Sequence, residues 1–405
     1  MSNLKKRIAI IGTVGLPPKY GGFETLSGHI VRMLGDKYDM TVYCSGKEYL
    51  RKNRPGKYYR ARLKYLPLKA NGIQSIPYDT ISILHALFYA DVLMILGVAG
   101  AWILPFVRIF TSKKIIISID GIEWKRGKWD LPARLFLWWA EKLAVKFSHI
   151  DISDNESIQD YTALRYGSLS RIIEYGADHT TAVKPMDSDK KVYPFLRMPY
   201  AVKVCRIEPE NNVHTVLAAF CDLPKHTLVI VGNWNQSEYG RNLRKVYGKV
   251  KNIILLDPIY RQSAIDMIRS NAHVYIHGHS AGGTNPSLVE AMHLGLPVIC
   301  FNVSYNKTTT ENKALYFKNA EELISIIRTV KLETLREHAG KMKEVAERRY
   351  TWREISEKYD SLIQEVLTID RKLSVMPVLA ACDDQTLTAC HAGHLKYQKL
   401  FYQKT

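Results

Sequence analysis

Short apolar runs recur along this chain. Each is closed by a polar loop, and most are followed by a stretch with helical periodicity. Arg7–Ile11 is apolar and β-branched, and runs into Gly12-Thr13-Val14-Gly15 and then Gly21-Gly22. The spacing of Leu26, Ile30, Met33 and Leu34 predicts a helix over 23–34 that stops at Gly35. Strands are expected at 40–44, Val92–Leu96, Lys114–Ile119, 149–153 and 171–175. The apolar run 92–107 is shorter than the ~20 residues of a membrane span, and Gly97, Gly100 and Pro105 interrupt it. It reads as a strand, a glycine turn and a core helix, with a shallow membrane-dipping element as the alternative. Leu131–Phe147 is an amphipathic helix; Trp138 and Trp139 are expected to pack on the sheet, although they suit a membrane face as well.

The second half repeats the alternation. Tyr200–Val204, Thr227–Val231, 252–256, 273–276 and Val298–Phe301 are apolar runs, each with a polar loop behind it. Such a series means a second doubly wound sheet, so the fold class is α/β with two Rossmann-like domains. The expected boundaries are 1–182 for the first domain, 183–198 for a charged linker and 199–348 for the second domain. A closing helix covers 349–370, and the tail 371–405 has no assigned structure.

The chemistry concentrates where strands end. After the run 273–276 comes a loop with Gly278, Gly282 and Gly283, and Asn285-Pro286 then opens a helix. Asn is a good N-cap and Pro fits the first helical position. A helix N-terminus behind glycines accepts anions, since its N–H groups are unpaired and a phosphate can approach the backbone. Glu290, five residues on, can face the same mouth, where a carboxylate suits the paired hydroxyls of a ribose. The plain alternative is a solvated Glu in an ordinary α/β unit. Arg206 ends a strand and can hold a phosphate in bidentate fashion, or pair with Glu208 or Glu210. Gly21-Gly22 can contact a diphosphate or form a tight turn; the GxGxxG spacing is absent. Asp120 follows the strand 114–119 and can orient or deprotonate a hydroxyl, or cap a turn. Glu123, Trp124, Lys125 and Arg126 crowd the same loop.

Composition changes this picture in one respect. The 405 residues, 46% hydrophobic and 24% charged, suit a globular chain of two or more domains. The net charge of +18 is unusual and points to an anionic partner: nucleic acid, acidic lipid or a phosphorylated substrate. Lysines and arginines over 47–69 interleave with Tyr49, Tyr58, Tyr59 and Tyr65. That pattern suits a membrane surface or a nucleic acid, or else a solvated loop and edge strand. No secretory pattern opens the chain, and six scattered cysteines read as reduced thiols. Asp187-Ser188-Asp189 follows no buried strand, and the tail spacing of Cys382, Cys390, His391 and His394 matches no common zinc pattern, so no metal site is expected.

Five stretches carry a family resemblance. IGTVGLPPKYGGFET, ISIDGIEWKRGKW, the YGAD at 175–178, VCRIEPENN and HGHSAGGTNPSLVEAM resemble, in this order, the retaining GT-B glycosyltransferases of family 4. More narrowly, they are similar to bacterial rhamnosyltransferases of capsule and O-antigen assembly whose N-terminal domain was long uncharacterised. The resemblance runs to about residue 300, and the chain to about residue 370 fits the family's closing helices. It implies two domains facing a cleft and a nucleotide-sugar donor, most specifically dTDP-rhamnose, used without metal or cofactor. Arg206 matches the arginine on the diphosphate and Glu290 the glutamate on the ribose. Gly283, Thr284 and Asn285 match the loop meeting diphosphate and sugar, and Gly21 and Gly22 the glycine loop over the pyrophosphate. Asp120 falls where many members carry a His against the donor sugar, with Glu123–Arg126 on the acceptor side. Two positions depart: Gly282 replaces the first of a pair of glutamates, and Asn211, kept as a donor-site residue, replaces a lysine. The implied acceptor is a lipid-linked saccharide, and the implied place is the inner face of the bacterial membrane, on an anionic surface, with no nucleic acid partner. A nucleotide-sugar epimerase, a non-catalytic sugar-nucleotide sensor and a basic nucleic-acid binder are the competing classes.

Overall fold

The strands that position the site are β-branched runs buried on both faces, the signature of parallel sheets covered by helices. The computed structural model describes residues 5–19, 21–119, 121–126, 129–369, 382–389 and 392–397. It divides into two units. One extends to Glu174 and resumes at Arg353; the other is Tyr175–Trp352.

In the first unit the strands are β1 (Arg7–Ile11), β2 (Asp39–Ser45), β3 (Lys57–Tyr58), β4 (Ala61–Leu66), β5 (Val92–Leu96), β6 (Lys114–Ile119), β7 (Ile150–Ser153) and β8 (Arg171–Ile172). Their order across the sheet is β3-β4-β2-β1-β5-β6-β7-β8, and only β3 runs antiparallel to its neighbour. Successive crossovers move outward in opposite directions from the β1/β5 pair, which opens a crevice at their carboxyl ends. A core of Ile11, Leu93, Ile95, Ile115 and Ile117 is closed by Tyr78, Ile83, Leu104, Leu137 and Ala144 from the covering helices. The run 92–107 forms β5, a turn and the helix Leu104–Phe110, as the glycines require. No described helix is long and apolar enough to cross a membrane.

Two expectations about this unit are corrected. Trp138 and Trp139 do not pack on the sheet; both stand on the outer face of the helix Leu131–Phe147. The face turned inward carries Leu137, Ala140, Glu141, Ala144 and Val145, whose small alanines let the helix sit close. The tyrosines of 47–69 do not all line a surface. Tyr49 is buried and donates to the Pro17 carbonyl at 2.9 Å, while Tyr65 donates to the Pro55 carbonyl at 3.1 Å. The stretch forms a loop and an edge strand, with Leu50 and Tyr59 exposed.

The helix Trp352–Thr368 returns the chain to the first unit. Lys358 pairs with buried Glu174 at 2.8 Å, Arg171 with Glu365 at 2.6 Å, and Tyr38 donates to Asp360 at 2.6 Å. Beyond it, Cys382, Leu387, Ala392 and Leu395 pack on Ala163 and Leu169. Cys390 and His391 lie outside the described residues. Cys44, Cys205, Cys221, Cys300 and Cys382 are free thiols.

The second unit holds β9 (Tyr200–Val204), β10 (Thr227–Val231), β11 (Ile253–Leu256), β12 (Val274–His277), β13 (Val298–Phe301) and β14 (Leu315–Phe317). All are parallel, in the order β11-β10-β9-β12-β13-β14. This is the doubly wound order 3-2-1-4-5-6, with its crevice outside the ends of β9 and β12. Asp187 and Asp189 lie in the first turn of the helix Asp187–Val192, where Asp189 accepts from the Met186 amide.

Candidate active site

Two loops meet at the β9/β12 crevice. The loop after β9 carries Arg206, Glu208, Glu210 and Asn211, and the loop after β12 runs from Gly278 to Asn285. They are laced together. The Ser280 amide donates to the Glu210 carbonyl at 2.8 Å, and Asn212 Nδ2 donates to the Gly278 carbonyl at 2.9 Å. Asn211 Nδ2 donates to the Arg206 carbonyl at 2.8 Å, while its Oδ1 lies 2.8 Å from His279 Nδ1. An amide oxygen only accepts, so His279 carries its proton on Nδ1 and turns Nε2 away. Asn211 is thus buried and committed to loop architecture.

Asn285 caps the helix Pro286–His293 as its sequence predicts. Its Oδ1 accepts from the Ser287 amide at 3.0 Å and the Ser287 hydroxyl at 2.8 Å, with proline at the first position. Gly283 and Thr284 precede it and are buried. Gly282 adopts φ +116°, and a Cβ there would stand 3.0 Å from His279 Nε2. Backbone and neighbour both oppose a side chain, which explains physically why no glutamate occupies this position. Arg206 remains 38% exposed at its side chain, 3.7 Å from Glu208. The ion pair and the crevice position both hold for this residue.

Glu290 is more constrained than a solvated helix Glu. It is largely buried, and its two oxygens meet Arg269 and, at 3.2 Å, His179 Nε2. Trp352 Nε1, which can only donate, lies 3.0 Å from His179 Nδ1. His179 is therefore the Nε2–H tautomer and donates to Glu290. Burial alone would raise the Glu290 carboxyl, but the Arg269 guanidinium and His179 overcome it and hold it below the usual range. The group is a fixed carboxylate with lone pairs to spare. Neither Arg269, from the helix Gln262–Ser270, nor His179 was identified from the sequence, because both lie far from Glu290 along the chain. The YGAD stretch just before His179 was the one available signal.

The first unit has its own loop at the β1/β5 crevice. Glu24, buried at the start of the helix Gly22–Leu34, accepts from the Val14 amide at 2.7 Å and from Thr13 Oγ1 at 3.3 Å. Tyr78 donates to the Thr13 carbonyl at 3.0 Å. Gly21 has φ +136°, and a Cβ on it would collide with the Glu24 carboxylate. The Gly21-Gly22 pair thus satisfies the tight-turn reading, with Glu24 as an unforeseen brace. Asp120 lies outside the described residues. Of its neighbours, Glu123 pairs with Arg126 at 2.8 Å and accepts from Trp129 Nε1 at 2.9 Å. Trp124 donates to Tyr161 at 3.1 Å, and Lys125 Nζ lies 5.4 Å from the Trp124 ring centre. Among the described residues no cluster of His, Cys, Asp or Glu is arranged to hold a metal.

Residues 187–349 match the family described as glycosyl transferases group 1, and residues 5–178 match DUF1972, a domain of unknown function. The match to group 1 glycosyl transferases falls within the second unit. Among solved structures, sucrose-phosphate synthase from Thermosynechococcus elongatus superposes with a TM-score of 0.72 at 16% identity, over 90% of this chain and 99% of that one. Anabaena HepE in complex with UDP-glucose gives 0.68 at 16% identity, over 89% and 100%. The E. coli trehalose-6-phosphate structure bound with UDP-2-fluoro glucose gives 0.67 at 10% identity, over 91% and 100%. These likenesses show the GT-B fold across the chain. No curated protein matches it.

Proposed function

We propose that this chain is a group 1 glycosyltransferase that takes its sugar from a nucleotide sugar, dTDP-rhamnose by the family resemblance. The acceptor is a lipid-linked saccharide of surface polysaccharide assembly, at the inner face of a bacterial membrane. The observation that carries the donor half is the Arg269–Glu290–His179 group, a buried carboxylate held ionised beside a capped helix N-terminus. A ribose offers two hydroxyls to such a carboxylate, and the helix end and Arg206 take the diphosphate. In the transfer, the bond from the anomeric carbon to the phosphate oxygen breaks. The acceptor oxygen bonds to that carbon on the same face, and its proton leaves with the nucleoside diphosphate. Negative charge grows on the leaving group, so donors already in place lower the barrier. The related structures with UDP-glucose and UDP-2-fluoro glucose support a nucleotide-sugar donor.

The test is a donor panel with purified protein, including dTDP-rhamnose and UDP-glucose, with and without a lipid-linked saccharide. Acceptor-dependent release of nucleoside diphosphate, with the glycosylated lipid seen by mass spectrometry, is expected. Donor conversion without acceptor would mean an epimerase, and binding without turnover a sensor.

A further inference from the structure

The second unit contains a cation that the catalytic reading does not use. Lys203 is on β9, paired with Ile230 of β10, in a strand otherwise built of Tyr, Ala and Val. Its residue exposure is 1%. Among the described residues, no hydrogen bond or ion pair reaches its ammonium. The titratable groups acting on it are the thiols of Cys205 and Cys300, and it acts in turn on His277. Burial raises both thiols and lowers the imidazole, so all three are neutral near pH 7 and none offers a counter-charge. A buried charge without a partner is strongly unfavourable, and burial lowers the Lys203 ammonium from its ordinary value. An anion arriving beside it favours the charged form again.

The position of the ammonium says where that anion would be. Nζ lies 2.8 Å from the point where a Cβ on Gly278 would stand, beside the Asn211 carbonyl. Gly278 and Asn211 belong to the two crevice loops, so Nζ lies under their junction. There the absence of a side chain at 278 leaves it room. His277 adds a second signal on the neighbouring strand, for its Nε2 is buried and has no hydrogen-bond partner among the described residues. Arg206 shares its charge with Glu208, and Arg269 is matched by Glu290. Lys203 is a buried cation without a counter-charge at this crevice among the described residues.

We propose that Lys203 is the buried cation of an anion subsite beneath the Gly278–Asn211 junction, occupied by the diphosphate of the nucleotide sugar. The inference rests on the donor reading above. A charge under the floor attracts phosphate oxygens and not the base or ribose, so its contribution scales with phosphate.

Isothermal titration calorimetry on the full chain tests this, comparing wild type with Lys203→Met. The probes are UDP, dTDP, GDP and ADP, each paired with its nucleoside. Lys203→Met should weaken the preferred diphosphate about 10- to 100-fold, the loss of a hydrogen bond to a charged group, and leave its nucleoside unchanged. Equal weakening of both would mean a packing role and overturn the proposal, as would unchanged diphosphate binding. Wild type that binds none of the diphosphates would overturn the donor reading itself, and this inference with it. Methionine keeps the length and removes an unpaired charge, so Tm should not fall. Should that variant not fold, Lys203→Gln is measured in the same way.

Discussion

Arg206 and Gly282 show how single residues set the chemistry of the β9/β12 crevice. Arg206 keeps part of its guanidinium in solvent with Glu208 3.7 Å away, so it is tethered without being consumed. Replacing it by Ala should lower kcat/KM about 10²–10³-fold, the effect of removing one donor to a developing oxyanion. Nucleoside diphosphate release measures this, and a change below about threefold would remove Arg206 from the leaving-group site. Gly282 is constrained in the opposite sense. Its φ of +116° and the His279 ring 3.0 Å from its missing Cβ mean that a glutamate cannot be restored without local rearrangement. Gly282→Glu should cost about 1–3 kcal/mol of stability, the range for a residue forced into a disfavoured backbone region. It should also lower activity by displacing His279 from Asn211. Urea unfolding gives the first number, and unchanged stability with full activity would show that the loop adapts freely.

Among the elements, the loop before β14 is tied down chiefly through the Glu311 carboxylate, with Glu344 also on Lys313. Glu311 and Asn312 sit at φ 50° and 56°, and Glu311 accepts from Arg348 at 2.7 and 2.8 Å and from Lys313 at 3.1 Å. This ties the loop to the last turn of the helix Leu332–Arg349, where arginines also suit the helix dipole. Burial would raise the carboxyl, but Arg348 and Lys313 outweigh it and bring it down to about 2. A depressed carboxylate stabilises the fold above its unfolded value of about 4.3 and loses that contribution as pH falls toward the folded one. Glu311→Gln should therefore cost about 1 kcal/mol at pH 7, given its partial exposure. The gap to wild type should close between about pH 5 and 2. Denaturation at stepped pH checks it, and a gap that widens in acid would refute the pairing. Much at this scale was legible beforehand. Arg7–Ile11, Lys114–Ile119 and Leu131–Phe147 were read with their observed bounds, because apolar runs and a proline after a capping Asp leave little choice. Asn285-Pro286 announced its helix for the same reason. Hidden from sequence were partners set by tertiary contact alone: Arg269 and His179 around Glu290, and Glu24 under the β1 loop. Lys203 lies inside Tyr200–Val204, whose other residues are Tyr, Ala and Val, so the run as a whole reads as apolar. The direction of Trp138 was also not encoded, since Leu131–Phe147 is apolar on more than one face and only packing chose the alanines.

For the molecule as a whole, large exposed apolar side chains gather on the first unit, which shares in the chain's positive charge. The chain carries +18, and the outer stripe of Leu131–Phe147 presents Leu131, Leu135, Trp138 and Trp139, then Lys142 and Lys146. Its one carboxylate, Glu141, is turned inward and accepts from Tyr161 and Tyr166. The helix Leu104–Phe110 beside it exposes Phe106, Ile109 and Phe110. Half-buried tryptophans among lysines suit the boundary between headgroups and acyl chains, where rings enter and ammonium groups meet anionic lipid. This face supports a membrane-bound acceptor. Vesicles containing phosphatidylglycerol should bind the chain at low salt, and pure phosphatidylcholine vesicles should bind it weakly. Trp138→Ala with Trp139→Ala should weaken partitioning about tenfold or more, since each large apolar side chain returned to water forfeits about 1.5–3 kcal/mol. The residual binding should be the part that salt removes, because lysine contributions are screened within a Debye length. Flotation across a salt series separates the two contributions. Partitioning that ignores both the tryptophans and lipid charge would put the acceptor in solution and remove the membrane from the proposed function.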